Sequence, residues 1–232
     1  MKYISTRNTK IFFSFKDVFL KGLAPDGGLF VPKEIPMYSD KELKKLKNLT
    51  YNELAKNIIL KFCKDEFSEM EIKEIVDSSY KNFRVKDVVK IKKLKNFSLL
   101  ELFHGPTLAF KDIAMQVIGN MYEKILKKHN LKVNIVVATS GDTGAAAINA
   151  IKDRANMRIF VLHPENKISE VQRKFMTTVD SKNVFNISLD GNFDECQKFV
   201  KQMFADKKFS EHINMSGVNS INWARIIVQI IY

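Results

Sequence analysis

The stretch LFHGPTLAFKD, residues 102–112, joins an apolar strand to a helix and places one lysine in the turn between them. Pro106 fixes its own φ and disfavours helix at Gly105, so the chain is still turning there. From Ile113 onward the apolar residues recur with helical spacing. Lys111 is therefore predicted to lie at the N-terminus of a helix.

This predicted position favours a partly neutral lysine amine. The macrodipole and unpaired N–H groups of a helix N-terminus disfavour an added positive charge. Burial beside Phe103, Leu108 and Phe110 would lower the pKa of Lys111 in the same direction. Neutral lysine amines attack aldehydes, and pyridoxal phosphate is the commonest cofactor held in this way. The alternative is a lysine whose stem packs on an apolar patch while its charge reaches solvent, and residues 102–112 alone leave both interpretations open.

Four blocks of the sequence resemble the threonine synthase family, whose members are fold type II (β-family) pyridoxal-phosphate enzymes. Residues 102–112 are similar to the family's cofactor-lysine signature, and residues 22–32 (GLAPDGGLFVP) to a glycine-rich segment near its start. Residues 140–144 (SGDTG) are similar to its substrate-binding turn, and residues 219–225 (NSINWAR) to a fourth stretch. The resemblance runs from about residue 3 to the end of the chain. The order and spacing of the blocks make it specific.

The resemblance implies a lyase of threonine biosynthesis that converts O-phospho-L-homoserine and water to L-threonine and phosphate. Lys111 would hold the cofactor covalently and then act as the base that removes the substrate α-proton. The implied substrate-binding residues are Ser140, Gly141, Asp142, Thr143, Gly144, Asn222 and Arg225. The resemblance leaves the oligomeric state open.

The SGDTG block also has a physical rationale as an anion site. It follows a short buried strand, residues 133–138, and precedes an alanine-rich helix, the position where open α/β sheets bind ligands. Gly141 and Gly144 permit close backbone approach, and the N–H groups of a helix start suit a carboxylate or phosphate oxygen. The alternative for an isolated SGDTG is helix capping alone, since Ser and Asp are common N-caps.

The polar residues Asn219, Ser220, Asn222 and Arg225 precede an apolar helix. Arg225 is expected to pair with a substrate phosphate through its two-pronged guanidinium. The alternative is that Asn219 or Ser220 caps the helix and Arg225 lies on the surface. This second site is therefore predicted mainly by the family resemblance.

Two histidines lie next to predicted strands, His104 at the start of the lysine turn and His163 after a later strand. His104 would orient the cofactor turn or relay a proton, and His163 would line the cleft. A hydrogen-bonded structural role is the alternative for each histidine.

The chain is predicted to divide at residue 97. Residues 1–97 resemble the N-terminal domain of threonine synthases, with helices after Thr50 and Ser68 that each have a glutamate three residues later to complete a capping box. In the second helix Met70 is counted with the core-facing residues. Residues 98–232 alternate short strands with longer helices, which predicts a pyridoxal-phosphate-binding α/β region. The predicted fold class is thus α/β and fold type II, a parallel sheet of βαβ units preceded by a smaller, mainly helical unit.

The C-terminus is expected to be truncated, because threonine synthases are usually much longer. The resemblance places the glycine-rich loop for the cofactor phosphate and the hydroxyl partner of the pyridine nitrogen beyond Tyr232. Residues 226–232 form an apolar run with no Gly, Asn or Pro to end a helix.

The composition argues against a nucleic-acid-binding, a disulfide-rich or a membrane-spanning protein. A hydrophobic content of 45% is enough for a core, and the net charge of +12 comes mainly from scattered lysines. Nucleic-acid readers rely more on arginine and on one clustered basic face, so biased composition explains the charge better. Cys63 and Cys196 are far apart, which indicates buried thiols in a reducing compartment and neither a disulfide framework nor a metal site. No stretch approaches the roughly 20 apolar residues of a membrane span, so a cytoplasmic protein is expected.

Three other functions remain open from the sequence. The protein could be a pyridoxal-phosphate-dependent phospho-lyase acting on another phosphorylated amino compound. It could also be a non-catalytic fragment or partner subunit, or a basic nucleic-acid-binding module.

Overall fold

The computed structural model describes residues 1–218 and 221–232. Of these, residues 1–105 and 221–232 form one compact unit, here the first unit, and residues 106–218 form another, the second unit. Asn219 and Ser220, of which one would cap the last helix in the alternative interpretation, lie outside the described residues. The predicted boundary between functional domains at residue 97 stays a prediction.

The helices and strands are numbered in chain order. The strands in the described residues are β1 (Tyr3–Ser5), β2 (Phe30–Pro32), β3 (Lys90–Lys93), β4 (Ser98–Glu101), β5 (Val133–Ala138), β6 (Met157–Pro164), β7 (Val184–Leu189) and β8 (Met215–Ser216). The helices are α1 (Phe15–Lys21), α2 (Asp40–Leu46), α3 (Tyr51–Cys63), α4 (Glu69–Tyr80), α5 (Lys111–Lys128), α6 (Asp142–Ile151), α7 (Glu170–Thr177), α8 (Phe193–Ala205), α9 (Lys207–His212) and α10 (Trp223–Gln229).

Local capping sets the helix starts in the first unit, as predicted. Thr50 and Glu53 form a reciprocal capping box at the start of α3, and Ser68 and Glu71 form another at the start of α4. Each box satisfies two backbone N–H groups that the helix leaves unpaired. The prediction that Met70 faces the core is wrong, because its side chain is 73% exposed.

Aromatic side chains fill the core of the first unit. Tyr3 is fully buried, and its hydroxyl donates a 2.7 Å hydrogen bond to the Phe62 carbonyl oxygen. The Trp223 ring packs edge-on against both Tyr3 and Phe62, with ring centroids 6.5 and 6.0 Å away. This contact attaches α10 to β1 and α3. The helix itself ends at Gln229, although the apolar run continues.

The second unit contains the predicted parallel sheet. Its strand order is β7-β6-β5-β8, and every adjacent pair is parallel. Strand β5 has the predicted bounds, residues 133–138. Strand β8 has only two residues, and its sequence pattern is too short to predict. Since β6 and β8 lie on opposite sides of β5, the direction of the strand order reverses at β5.

The apolar strand predicted before the lysine turn is not part of this sheet. The segment forms β4, which pairs antiparallel with β3 in a hairpin whose register places Ile91 opposite Leu100. The short connection between β3 and β4 permits antiparallel pairing, whereas parallel pairing needs a long crossover. The apolar residues of β4 are also exposed rather than buried, with Leu99 at 46%.

The remaining composition-based predictions concern the thiols and the membrane. Cys63 and Cys196 are both buried, as expected. Across residues 1–218 and 221–232, no helix combines the length and the apolar character that a membrane crossing requires.

Candidate functional site

Lys111 is the first residue of α5, which confirms the predicted helix N-terminus. Its side chain is half-buried, and Nζ lies 4.6 Å from the centroid of the Phe110 ring. The apolar enclosure expected around it is only partial within the second unit, because Leu108 and Phe110 are 43% and 38% exposed, and Phe103 belongs to the first unit. A partly accessible amine at a helix N-terminus suits a group that must react with an incoming aldehyde.

A buried carboxylate holds the turn that precedes Lys111. Asp112 is fully buried and accepts two hydrogen bonds of 2.7 Å, from the backbone N–H and the hydroxyl of Thr107. Burial raises the pKa of the Asp112 carboxyl, while the Thr107 hydrogen bonds oppose the rise and the charge of Asp142 adds to it. Sequence reasoning gave Asp112 no role. The available signal was a threonine five residues before an aspartate at a helix start.

The 140–144 turn is fixed by Thr139, another residue that sequence reasoning missed. The Thr139 hydroxyl oxygen accepts hydrogen bonds from the N–H groups of Gly141, at 3.0 Å, and Gly144, at 2.9 Å. Thr139 is 1% exposed, so these bonds lie out of water. Gly141 has φ 138°, a conformation that side-chain-bearing residues rarely adopt. The sequence requirement for glycine here is therefore conformational.

The start of α6 presents backbone donors. Helix α6 begins at Asp142, with Gly141 as N-cap and no side-chain cap. Among the described residues, the N–H groups of Asp142 and Thr143 have no hydrogen-bond acceptor. Ser140 and Asp142 are exposed. Unpaired N–H groups at a helix start form an anion-binding site.

Gln172 of α7 braces this turn. Its side-chain Nε2 donates to Oδ1 of Asp142 at 2.6 Å, and its Oε1 accepts from the Ser169 hydroxyl at 3.0 Å. Ser169 is the N-cap of α7. The S-x-x-Q spacing of residues 169–172 is a recognisable helix-start signal, but its connection to Asp142 depends on the fold.

Helix packing brings Lys111 and the 140–144 turn to the same edge of the second unit. Gln116 of α5 donates to Asn149 of α6 at 2.9 Å, and Gly119 allows α5 to approach the Ala150 carbonyl closely. The later residue of α5 contacts the later residue of α6, so the two helices run in the same direction and their N-termini are adjacent. The charge interaction between Asp112 and Asp142 agrees with this arrangement.

This edge is also where the sheet favours ligand binding. The 140–144 turn follows the carboxyl end of β5, the strand at which the order of the sheet reverses. Open α/β sheets bind ligands outside the carboxyl ends of their strands at such switch points. Lys111, Asp112 and the 140–144 turn of the second unit therefore form the candidate active site.

Asn222 and Arg225 belong to the first unit, and both have structural partners there. Asn222 caps α10 by accepting from the Ala224 N–H, and its Nδ2 donates to the Phe19 carbonyl oxygen, both at 3.0 Å. Arg225 is 6% exposed, so the alternative of a surface arginine is wrong. It donates to Gln229 at 3.2 Å, and burial lowers the pKa of its guanidinium. Substrate binding by these two residues stays a prediction.

The two histidines make hydrogen bonds that suit structural roles. In the first unit, His104 Nε2 lies 3.1 Å from a carboxylate oxygen of Glu101. In the second unit, His163 is 5% exposed near the end of β6, with Nδ1 3.4 Å from the Pro164 carbonyl oxygen. Their predicted catalytic roles remain predictions.

Comparison with known proteins agrees with this architecture. The family model described as "Threonine synthase N terminus" matches residues 2–80. Threonine synthase of Pseudomonas aeruginosa is 45% identical over 100% of this chain and 50% of its own length, and that of Schizosaccharomyces pombe is 43% identical over 100% and 47%. The crystal structure of pyridoxal-phosphate-bound threonine synthase from Brucella melitensis superposes with a TM-score of 0.94 at 43% identity, covering 100% of this chain and 50% of that one.

These matches confirm the resemblance and the fold class predicted from the sequence. The whole chain is similar to threonine synthases, and it spans about half the length of the relatives it matches.

Proposed function

We propose that this chain carries the cofactor lysine and a substrate anion site of a threonine synthase, the pyridoxal-phosphate-dependent lyase that forms L-threonine and phosphate from O-phospho-L-homoserine and water. One observation carries the proposal. Lys111, at the N-terminus of α5, shares an edge of the second unit with the two open N–H groups of the 140–144 turn. The similarity of the whole chain to about half the length of threonine synthases supports it.

The residues at this edge fit pyridoxal phosphate. The cofactor, when bound, supplies an electron sink for negative charge at the substrate α-carbon. Lys111 would hold the cofactor through its aldehyde, and its amine, once displaced by the substrate amine, would take the α-proton of the substrate. The N-terminus of α5 disfavours a positive charge on Lys111, which favours the neutral amine that both steps need.

The 140–144 turn binds an anionic oxygen of the substrate. The N–H groups of Asp142 and Thr143, with the positive end of the α6 dipole, suit a carboxylate or phosphate oxygen. Gln172 directs the Asp142 carboxylate through its 2.6 Å hydrogen bond. The family resemblance adds Asn222 and Arg225 as proposed further substrate contacts.

The same resemblance supports two further proposals, one on the domains and one on the location and partners of the protein. Residues 1–97 act as the N-terminal domain of the enzyme, and residues 98–232 contribute to its cofactor-binding region. The protein works in the cytoplasm on a small phosphorylated amino acid, without a nucleic-acid partner.

Borohydride trapping tests the cofactor assignment directly. The purified protein is incubated with pyridoxal phosphate, reduced and digested, and the labelled peptides are identified by mass spectrometry. We expect the label on Lys111, its loss in Lys111→Ala, and its retention in Lys127→Ala, a control at the exposed far end of α5. A label on another lysine, or none, would overturn the assignment.

A product assay separates the proposed activity from its nearest alternative. The protein receives O-phospho-L-homoserine, and phosphate, threonine and keto acid are measured. Threonine with equimolar phosphate supports the proposal. Phosphate with only a keto acid favours a phospho-lyase that acts on another phosphorylated amino compound.

A further inference from the structure

We propose that Asp112 is the positioning residue for Lys111, acting by clamping the turn from Thr107 to the start of α5. This inference rests on the function proposed for Lys111. Asp112 touches neither cofactor nor substrate in this role. It acts through the backbone that holds the neighbouring lysine.

The clamp replaces the usual cap of a helix N-terminus. Most long helices of the described chain begin after a Ser, Thr or Asn whose side chain accepts from the first turn, as at α3, α4 and α8. Helix α5 has Phe110 in that position, which makes no side-chain cap hydrogen bond. Asp112 instead reaches back and accepts from Thr107, so the carboxylate orders the residues before the helix.

Both oxygens of the Asp112 carboxylate take part. Oδ2 accepts from the Thr107 N–H and Oδ1 from the Thr107 hydroxyl, each at 2.7 Å, while the Asp112 N–H donates to the Ala109 carbonyl oxygen at 3.0 Å. Thr107 and Asp112 are 7% and 0% exposed. Short hydrogen bonds to a carboxylate away from water are the stronger kind. The six-residue loop is thereby closed, with Lys111 inside it.

The backbone between Thr107 and Asp112 includes an unfavourable conformation that the clamp stabilises. Leu108 has φ 63°, in the left-handed region that costs energy for a residue with a branched side chain. Without the clamp, we expect residues 107–111 to relax toward an ordinary turn, which would move the Lys111 backbone. A lysine that must reach an aldehyde at a fixed site loses reactivity when its backbone moves.

The test compares variants that differ in one hydroxyl. Thr107→Val removes the hydroxyl donor with little change of shape, and Thr107→Ser keeps the donor. Thr177→Val is the matched control, because Thr177 is exposed and its hydroxyl bonds only to the Arg173 carbonyl oxygen within α7. Asp112→Asn disrupts the same clamp from the other side, since the amide nitrogen of the new side chain would face one of the two Thr107 donors.

Two readouts are needed, one with the cofactor and one without. The first is the pyridoxal phosphate concentration that gives half-maximal borohydride labelling of Lys111. The second is the rate of Lys111 acetylation by a trace of acetic anhydride, relative to Lys127 in the same molecule, which measures the environment of the amine without any cofactor. Circular dichroism establishes that each variant is folded at the assay temperature.

We expect Thr107→Val to need about tenfold more pyridoxal phosphate and to change the relative acetylation rate at least twofold. Thr107→Ser and Thr177→Val should match the original protein. If folded Thr107→Val and Asp112→Asn match it in both readouts, the clamp does not position Lys111. If the original protein is never labelled at Lys111, the proposed function fails, and the acetylation rates still decide the clamp. If neither Thr107→Val nor Asp112→Asn folds, Thr107→Ser is compared with Thr107→Ala, which lacks the hydroxyl. Equal pyridoxal phosphate labelling of Lys111 in these two variants would overturn the proposal.

Discussion

Gln172 Nε2 lies 2.6 Å from Oδ1 of Asp142, so α7 holds the first residue of α6 through a single side chain. The same glutamine side chain occupies the space beside Gly141, where a Cβ atom would lie 2.4 Å from it. Gln172 thus fixes the position of the Asp142 carboxylate and leaves no room for a side chain at position 141.

The Gln172–Asp142 contact predicts how added charge affects anion binding. Gln172→Glu places a second carboxylate beside the turn, and we expect it to weaken binding of O-phospho-L-homoserine by about 1 kcal/mol, the size of a close charge repulsion in water. Isothermal titration calorimetry measures this directly. Gln172→Met loses the hydrogen bond without adding charge and should weaken binding less. Equal affinities for Gln172→Glu and the original protein would show that the anion binds elsewhere.

The helix starts show what the sequence could predict. A capping box is local, so the pairs Thr50–Glu53 and Ser68–Glu71 could be recognised from a three-residue spacing alone. The burial of strands β5 and β6 was likewise visible as short apolar runs bounded by turns. The partner of β4 was not visible, because the pairing of a strand depends on connections and on packing outside the strand itself.

In the candidate site, too, some residues could be predicted from the sequence and others could not. The lysine, the glycines and the turn were predictable because their chemistry lies in neighbouring residues. Gln172 was not, since it bonds a residue 30 positions away. Asp112 was passed over because its acceptor role requires a Thr107 backbone that has already turned back on itself. The sequence patterns identified the reactive groups, whereas the residues that hold those groups in place were identified only from the folded structure.

The Thr139 hydroxyl predicts a large loss of stability from a nearly isosteric change. Thr139→Val leaves the N–H groups of Gly141 and Gly144 without their acceptor, and we expect it to lower the free energy of unfolding by about 2–4 kcal/mol. Thr139→Ser keeps the acceptor and loses only a buried methyl group, at about 1 kcal/mol. Urea unfolding measures both. A Val variant as stable as the Ser variant would mean that water replaces the hydroxyl.

The conformation of Gly141 predicts a specific requirement for glycine. Gly141→Ala forces a Cβ into φ 138° and should cost about 1–3 kcal/mol of unfolding free energy. Gly191→Ala is the control without a positive φ, where a Cβ would lie 2.7 Å from Oε2 of Glu195, an acceptor in the capping box of α8. We expect the control to cost about 0.5 kcal/mol, at the low end of the range for a disturbed helix cap. Equal costs at both positions, measured by urea unfolding, would contradict the conformational explanation.

Asn222 permits a test of structural against substrate-binding roles. Asn222→Ala removes both the α10 cap and the bond to the Phe19 carbonyl, and should lower the free energy of unfolding by about 1.5–3 kcal/mol. Asn222→Ser restores the cap and should recover about 1 kcal/mol of it. If both variants unfold at the original urea concentration and only substrate affinity falls, the side chain serves the substrate rather than the fold.

The raised pKa of Asp112 predicts a pH-dependent contribution to stability. Burial raises the pKa above the ordinary value of 3.8, so between 3.8 and the raised pKa the folded protein binds more protons than the unfolded chain. Stability supplied by this group therefore falls as the pH rises through that interval, and is greatest below it. The difference in unfolding free energy between the original protein and Asp112→Asn, measured by urea unfolding from pH 3.5 upward, isolates this contribution from the other carboxylates. We expect the difference to decrease with rising pH and then to level off, and a difference that increases over the same interval would mean that the Thr107 hydrogen bonds outweigh burial and hold the carboxylate ionised.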